Sequence, residues 1–259
     1  MDKLTLYFLI FIIYAFLGYL CEVIYVFLIT KKITNRGYLY GPLVPIYAFG
    51  ALLIIIPLNE FEFGTFITDR WYLVLLIGLL VPTLLEYLTS YVMEKIFKMR
   101  WWDYSDKFLN INGRVCLRNS LMFMALVVIV VYGLNPPFTK LVGYIVDIDV
   151  LNYILCSCLF IAFIVDIILS TIHHVNISKI IIKLEELKEK AIEYKDDKME
   201  ALSEKIDNAK IKTSNYLADI KDKLNRVSIH YPSLKVIINK KRISFKEYLN
   251  KFKKDKEEE

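Results

Sequence analysis

The chain has 259 residues, 56% of them hydrophobic, with a formal net charge of +5 and a mean hydropathy of +0.42. A soluble domain of this size does not need so much apolar surface, so the composition points away from a water-soluble enzyme and toward a membrane protein. The charge is unevenly placed. Residues 1–172 carry twelve Lys/Arg and twelve Asp/Glu, and the excess of base falls wholly in residues 173–259. A lipid-embedded part followed by a charged tail is the expected plan, and nucleic acid is not an expected partner.

Five stretches are long and apolar enough to span a bilayer: about 4–29, 42–58, 71–94, 115–134 and 150–172. The first is too long for a signal-peptide core and reads as a retained helix. The second is short and interrupted by Pro45 and Gly50, which predicts a kink or an oblique entry. The connection 30–41 carries Lys31, Lys32 and Arg36, and the connection 95–118 carries Lys95, Lys98, Arg100, Lys107, Arg114 and Arg118. The alternate segments hold only Lys3, Arg70 and Lys140. The positive-inside rule then places the N-terminus outside and the tail in the cytoplasm, which requires an odd number of spans. The expected fold is all-α: a polytopic bundle of about five transmembrane helices over residues 1–172, a charged helix or coiled coil over 173–230, and a basic amphipathic segment over 231–259.

Ionisable residues inside the spans are the first candidates for function, because lipid tolerates them only where they face a bundle interior or a watery cavity. They are Glu22, Glu86, Glu94, Arg118 and Asp166. At about 1.5 Å per helical residue Glu22 and Glu86 each lie roughly 13 Å from a flanking lysine, and Asp166 roughly 10 Å from His173. All fall in the cytoplasmic half. Tyr14, Gly18, Glu22 and Tyr25 share one helix face; Thr83, Glu86, Ser90 and Glu94 share a second; Asp166, Ser170 and a histidine share a third. Three polar stripes at one depth predict a cavity open to the cytoplasm. The alternative is that these acids pair with Arg36, Arg114 and Arg118 to lock the bundle.

Residues 101–115, WWDYSDKFLNINGRV, lie between the third and fourth spans. Trp101 and Trp102 suit the bilayer interface, and Lys98 and Arg100 suit its headgroups. Simple anchoring leaves Asp103, Asp106, Asn110, Asn112 and Gly113 unexplained; a cytoplasmic gate or docking face is the functional reading, with Asp103, Tyr104, Asn110, Asn112 and Arg114 as its candidates. Pairing of Asp103 with Arg114 or Arg36 is expected there.

The motifs NRGYLYGPLVPIYAFGAL (35–52) and LLEYLTSYVMEKIFKMRWWDYSDKFLNINGRVCL (84–117), with GYLCEVIY (18–25), resemble a bacterial membrane family labelled ABC-transporter type IV, the CmpB-like permeases. The resemblance covers about residues 5–172. By position it carries Glu22, Asn35, Arg36, Gly37, Gly41, Pro42, Pro45, Tyr47, Glu86, Glu94, Trp102, Asp103, Tyr104, Asn110, Asn112, Gly113 and Arg114. Ala48 stands where a glycine is expected, and Met124 where a small residue is, both matters of helix packing. The resemblance implies a transport subunit whose ATPase is a separate polypeptide docking at 30–41 and 98–114.

The residues themselves agree that hydrolysis is elsewhere, since no G-x-x-x-x-G-K-[ST] loop occurs. No H-E-x-x-H or G-x-S-x-G motif occurs either, so no catalytic residue, cofactor or metal is assigned. Cys21, Cys116, Cys156 and Cys158 read as buried thiols. Two other classes stay open: a membrane-embedded enzyme using Glu86 or Asp103 as general base, and a scaffold whose coiled tail recruits partners. The lipid bilayer is the assured partner, with a homo-oligomer through the helices or the tail as a further expectation. In the tail, Leu202, Ile206, Ala209, Thr213, Tyr216 and Ile220 recur at steps of three and four, a weak coiled-coil pattern. RISFKEYLNKFKK after Pro232 reads equally as a basic amphipathic helix on the inner leaflet or as a cap on the coil.

Overall fold

The computed structural model describes residues 3–31, 37–197, 235–238 and 241–244. Its main elements are helices α1 (Lys3–Thr30), α2 (Pro45–Glu60), α3 (Phe63–Thr68), α4 (Trp71–Phe97), α5 (Leu117–Val128), α6 (Asn135–Val146) and α7 (Asp149–Asp197). A π-helical segment, Ile129–Leu134, joins α5 to α6 without a break. Short strands β1 (Met99–Arg100), β2 (Asn110–Ile111), β3 (Val115–Cys116), β4 (Lys235–Ile238) and β5 (Lys241–Ser244) complete the set.

Among the described residues four helices are long and apolar enough to cross a membrane: Lys3–Leu28, Trp71–Phe97, Leu117–Val146 and Val150–Ile180. The second expected span differs. Its helix, α2, has 16 residues, about 24 Å of rise against a hydrocarbon core of about 30 Å. Irregular backbone precedes it, and Leu39 and Val44 there are 1% and 8% exposed. Such backbone survives at membrane depth only where the protein satisfies its polar groups. Val44 N–H donates to Ala15 O (2.9 Å), and two further amides of this segment are met by a side chain described below. Pro45 opens α2 with the fixed φ that suits a first helical turn.

The chain divides into two compact units, residues 1–92 with 103–170, and residues 93–102 with 171–259. In the first, α1 and α2 pack antiparallel. At one end Glu60 takes hydrogen bonds from Lys3 and from Tyr7 Oη (2.7 Å). At the other, Tyr47 lies flat on Gly18, where a β-carbon would stand 2.5 Å from the Tyr47 ring. A side chain at position 18 therefore forces the pair apart. Ile10, Ala15, Ala48, Ile55, Val142 and Val146 form the core between α1, α2 and α6. The buried Ala48 fills the place where the family resemblance expects glycine. Asn152 on α7 is 1% exposed; its amide donates to Thr5 Oγ1 (3.0 Å) and its carbonyl accepts from Cys156 Sγ (3.3 Å). Polar side chains of this kind hold helices together where lipid removes the hydrophobic drive. Cys116 and Cys156 are buried as expected, whereas Cys21 and Cys158 are exposed on their helices.

In the second unit the end of α4 meets α7. Ser178 Oγ donates to Phe97 O (2.7 Å), and Trp101 packs edge-on to Phe97 and His174, both at 5.3 Å. Trp101 is thus a buried residue (8% exposed) rather than an interfacial anchor. Arg100, expected at the headgroups, is 1% exposed. Strands β1, β4 and β5 form an antiparallel sheet in that order, with Met99 opposite Val236 and Val236 opposite Ile243. Residues 241–244 therefore begin with a strand where an amphipathic helix was expected: Lys241–Ser244 pairs along its whole length with Lys235–Ile238. The remainder of that segment, and the coiled coil beyond residue 197, lie outside the described residues.

Candidate functional site

The loop between α4 and α5 builds itself from residue 103 onward. Asn112 (φ 53°) and Gly113 (φ 67°) both adopt left-handed backbone, the conformation that Asn-Gly supplies most readily at a hairpin turn. The turn closes through Arg114 N–H to Ile111 O (3.0 Å) and joins β2 to β3, with Ile111 opposite Val115. Asn110 is its internal brace: its amide donates to Ser105 O (3.0 Å) and Lys107 O (2.9 Å), and its carbonyl accepts from Gly113 N–H (3.0 Å). Asp103 accepts from Ser105 N–H (2.9 Å) and from the Ser105 hydroxyl, a local turn of the kind Asp favours. Tyr104 N–H donates to Gly113 O (2.8 Å). The result is a small hydrogen-bonded platform, and one of the side chains it sends to α4 reaches Glu86.

That side chain is Tyr104. Its hydroxyl lies 3.3 Å from Glu86 Oε1 on α4. Burial first, and then the charges of Glu86 and Glu22, hold its phenol well above the usual range, so it stays a hydrogen-bond donor. Glu86 is 5% exposed; the Asn119 side chain also faces its carboxyl, but Oε2 makes no hydrogen bond of full geometry. On the facing helix Glu22 Oε1 accepts from Tyr47 Oη (2.8 Å). Glu86 and Tyr47, the partner of Glu22, border a cavity of about 120 Å³ whose walls are mostly apolar and come from α1, α2, α4, α5 and the π segment. Pro82, one turn before Glu86, also lines it; lacking an N–H, it leaves a carbonyl of α4 without its usual helical donor.

A family model described as "Putative ABC-transporter type IV" matches residues 9–171. The chain belongs to this family. No curated protein and no solved structure matches it. The four long apolar helices and the membership together make it a membrane protein of the transport-related class.

The remaining family-motif and candidate residues fall into separate places. Asp166 does not line the cavity. Its carboxylate receives Tyr40 N–H (3.0 Å), Gly41 N–H (3.0 Å) and Ser170 Oγ (3.1 Å), and so satisfies the irregular backbone ahead of α2. The acid within α7 is explained by the irregular backbone ahead of α2. Asp166→Asn keeps one acceptor oxygen and turns an NH2 toward the other donor; Tyr40 N–H retains Ser170 Oγ (3.0 Å), so the loss is one hydrogen bond to half-buried backbone, about 1–3 kcal/mol. Its expected result is a lower melting temperature in detergent, with Asp166→Glu intermediate; an unchanged melt for both refutes the backbone role.

Glu94 lies in the second unit, where Arg100 Nε donates to its Oε2 (2.8 Å) and Nη2 makes a second contact. Arg114 is buried, over the rings of Tyr91 (5.3 Å) and Tyr87 (5.6 Å), with Nη1 3.4 Å from Ser90 Oγ. Asn112 donates to Tyr87 Oη (3.0 Å). Arg118 is exposed at the start of α5, and Arg36 lies outside the described residues. Among the described residues Glu22, Glu86 and Asp166 thus meet neutral donors, not arginines. Arg100 was missed as a site residue because a basic residue beside two tryptophans reads as an interfacial anchor. Its backbone pairs with Lys235, a partner 135 residues away that local pattern does not reveal.

Proposed function

We propose that the chain is the membrane-embedded subunit of a transporter, with its solute site at the Glu86 end of the bundle cavity, on the cytoplasmic side. The observation that carries this reading is a buried carboxylate oxygen without a partner, facing a cavity, in a member of an ABC-transporter family. Tyr104 seats a cytoplasmic loop directly on that carboxyl, so movement of the loop is felt at the site. In this reading the chain crosses five times, the second crossing being completed by the irregular segment ahead of α2. ATP is hydrolysed by a separate polypeptide docked on the two basic connections. Cross-linking followed by purification of the full chain tests this: recovery of a nucleotide-binding subunit is expected, and a chain that purifies with no ATPase under cross-linking overturns the docking.

Orientation has its own test. In a cysteine-free background, a cysteine replacing exposed Glu62 is expected to react with an impermeant maleimide on intact cells, and one replacing Lys223 only after lysis. Position 64 is unsuitable, because a β-carbon there would stand 1.9 Å from Leu58 O. The reverse labelling pattern refutes the cytoplasmic placement of the site.

A further inference from the structure

We propose that the cavity binds a small amphiphilic amine, its ammonium seated on Glu86 Oε2 and its apolar body among the bundle side chains. This deepens the transport reading and rests on it for the site's role, while the binding itself is separately testable. Buried polar groups in folded proteins nearly always have partners. Two residues lining this cavity break that rule: Glu86, 5% exposed, at Oε2, and Tyr14, 4% exposed, at its hydroxyl. Glu22 lies close enough to add its charge to the field at Glu86, and no lysine or arginine lines the space. An anion is therefore disfavoured, and a neutral guest leaves the carboxylate uncompensated. The aromatic rings of Tyr14, Tyr47 and Phe123 present faces and edges to the same space and tolerate a cation.

A bare metal ion fits poorly. Sodium, magnesium and calcium need several oxygen ligands, whereas the walls are mainly Leu17, Ile54, Leu85, Leu126 and Val127, and the described residues contain no group of three or more His, Cys, Asp or Glu that could hold a metal. The volume, about 120 Å³, is near the roughly 150 Å³ of an apolar cavity known to admit benzene. One ring, or a short branched chain, with a single ammonium fits these limits.

The test uses the full chain in phosphatidylcholine nanodiscs, with empty nanodiscs subtracted, and titrates benzylamine against its neutral isostere benzyl alcohol by calorimetry. Saturable binding of benzylamine is expected, about ten- to a hundredfold tighter than benzyl alcohol, the range of one charged hydrogen bond. Glu86→Gln should erase that preference, and Glu60→Gln should keep it. A β-carbon on Gly50 meets only Leu85 Cδ2, at 3.5 Å, so Gly50→Val should fold, fill the space and abolish binding of both probes. This second variant decides the matter if Glu86→Gln fails to fold. Equal affinity for the two probes, an amine preference that survives Glu86→Gln, binding that survives Gly50→Val, or no saturable benzylamine binding each overturns the proposal. Co-purification of an ATPase would be untouched by any of those failures, which separates them from failure of the transport reading.

Discussion

Glu86→Gln is expected to abolish function while leaving the protein folded. Two readouts are needed together: complementation of a strain lacking the gene, and thermal melting of the purified protein in detergent. The stability half follows from the surroundings. Glutamine keeps the carbonyl oxygen that accepts from Tyr104 Oη at 3.3 Å, and it replaces a group that costs more to bury than a neutral amide whenever it is charged. The variant should therefore melt at or above the parent. The functional half follows from the orphaned Oε2 at the cavity wall. A glutamine presents a donor there where a carboxylate presents a charge and an acceptor. Glu60→Gln is the control: its ion pair with Lys3 is solvent-exposed and screened, and the change should be silent in both readouts. Full complementation by Glu86→Gln removes the acid from the mechanism. Loss of complementation together with loss of folding assigns Glu86 to architecture instead.

Much of this site was legible in the sequence, for a physical reason. Helical periodicity is strong in long apolar stretches, and an acid within one has few places to go, so Glu22 and Glu86 could be put on inward faces at one depth. The polar stripe through Tyr14, Gly18 and Glu22 also held: Tyr14 lines the cavity, Gly18 receives Tyr47, and Glu22 accepts its hydroxyl. What failed to show was anything that depends on partners distant in the chain. Asp166 belonged to the same depth class as Glu86, yet it serves two backbone amides of a segment about 125 residues earlier. Nothing near Asp166 in sequence marks that duty; the clue was Gly41-Pro42 and Pro45, which break the second span and leave amides to be met. In the 103–115 loop the turn chemistry of Asn-Gly was plain, but Asn110 and Asp103 read as functional because their hydrogen bonds to neighbouring backbone cannot be told from binding contacts by residue type.

The largest loss of stability is expected from Glu94→Gln. Arg100 has no exposed side-chain surface, and Glu94 retains 18%. A guanidinium does not shed its proton in a protein, so removing the carboxylate takes an ion-pair partner from a buried cation that cannot neutralise itself by titrating. Breaking a buried ion pair from one side costs about 3–5 kcal/mol, a drop in melting temperature on the order of ten degrees for a chain of this size. Arg100→Met should cost less, because Glu94 is the partner that can turn toward solvent and rehydrate. The double variant Glu94→Gln with Arg100→Met should melt well above Glu94→Gln alone, since it takes away the buried charge together with its carboxylate; coupling of this sort is non-additive. The consequences reach further than α4. Arg100 pairs through its backbone with Lys235, and Met99 beside it with Val236, so a displaced Arg100 loosens the strand that ties the chain's late segment to the end of this helix. With a protease site inserted between residues 198 and 234, the cleaved late segment should therefore be released faster in Glu94→Gln than in the parent, and the double variant should restore the parent rate. Additive melting losses, with Arg100→Met the worse single change, would mean that Arg100 is held by its packing and not by Glu94.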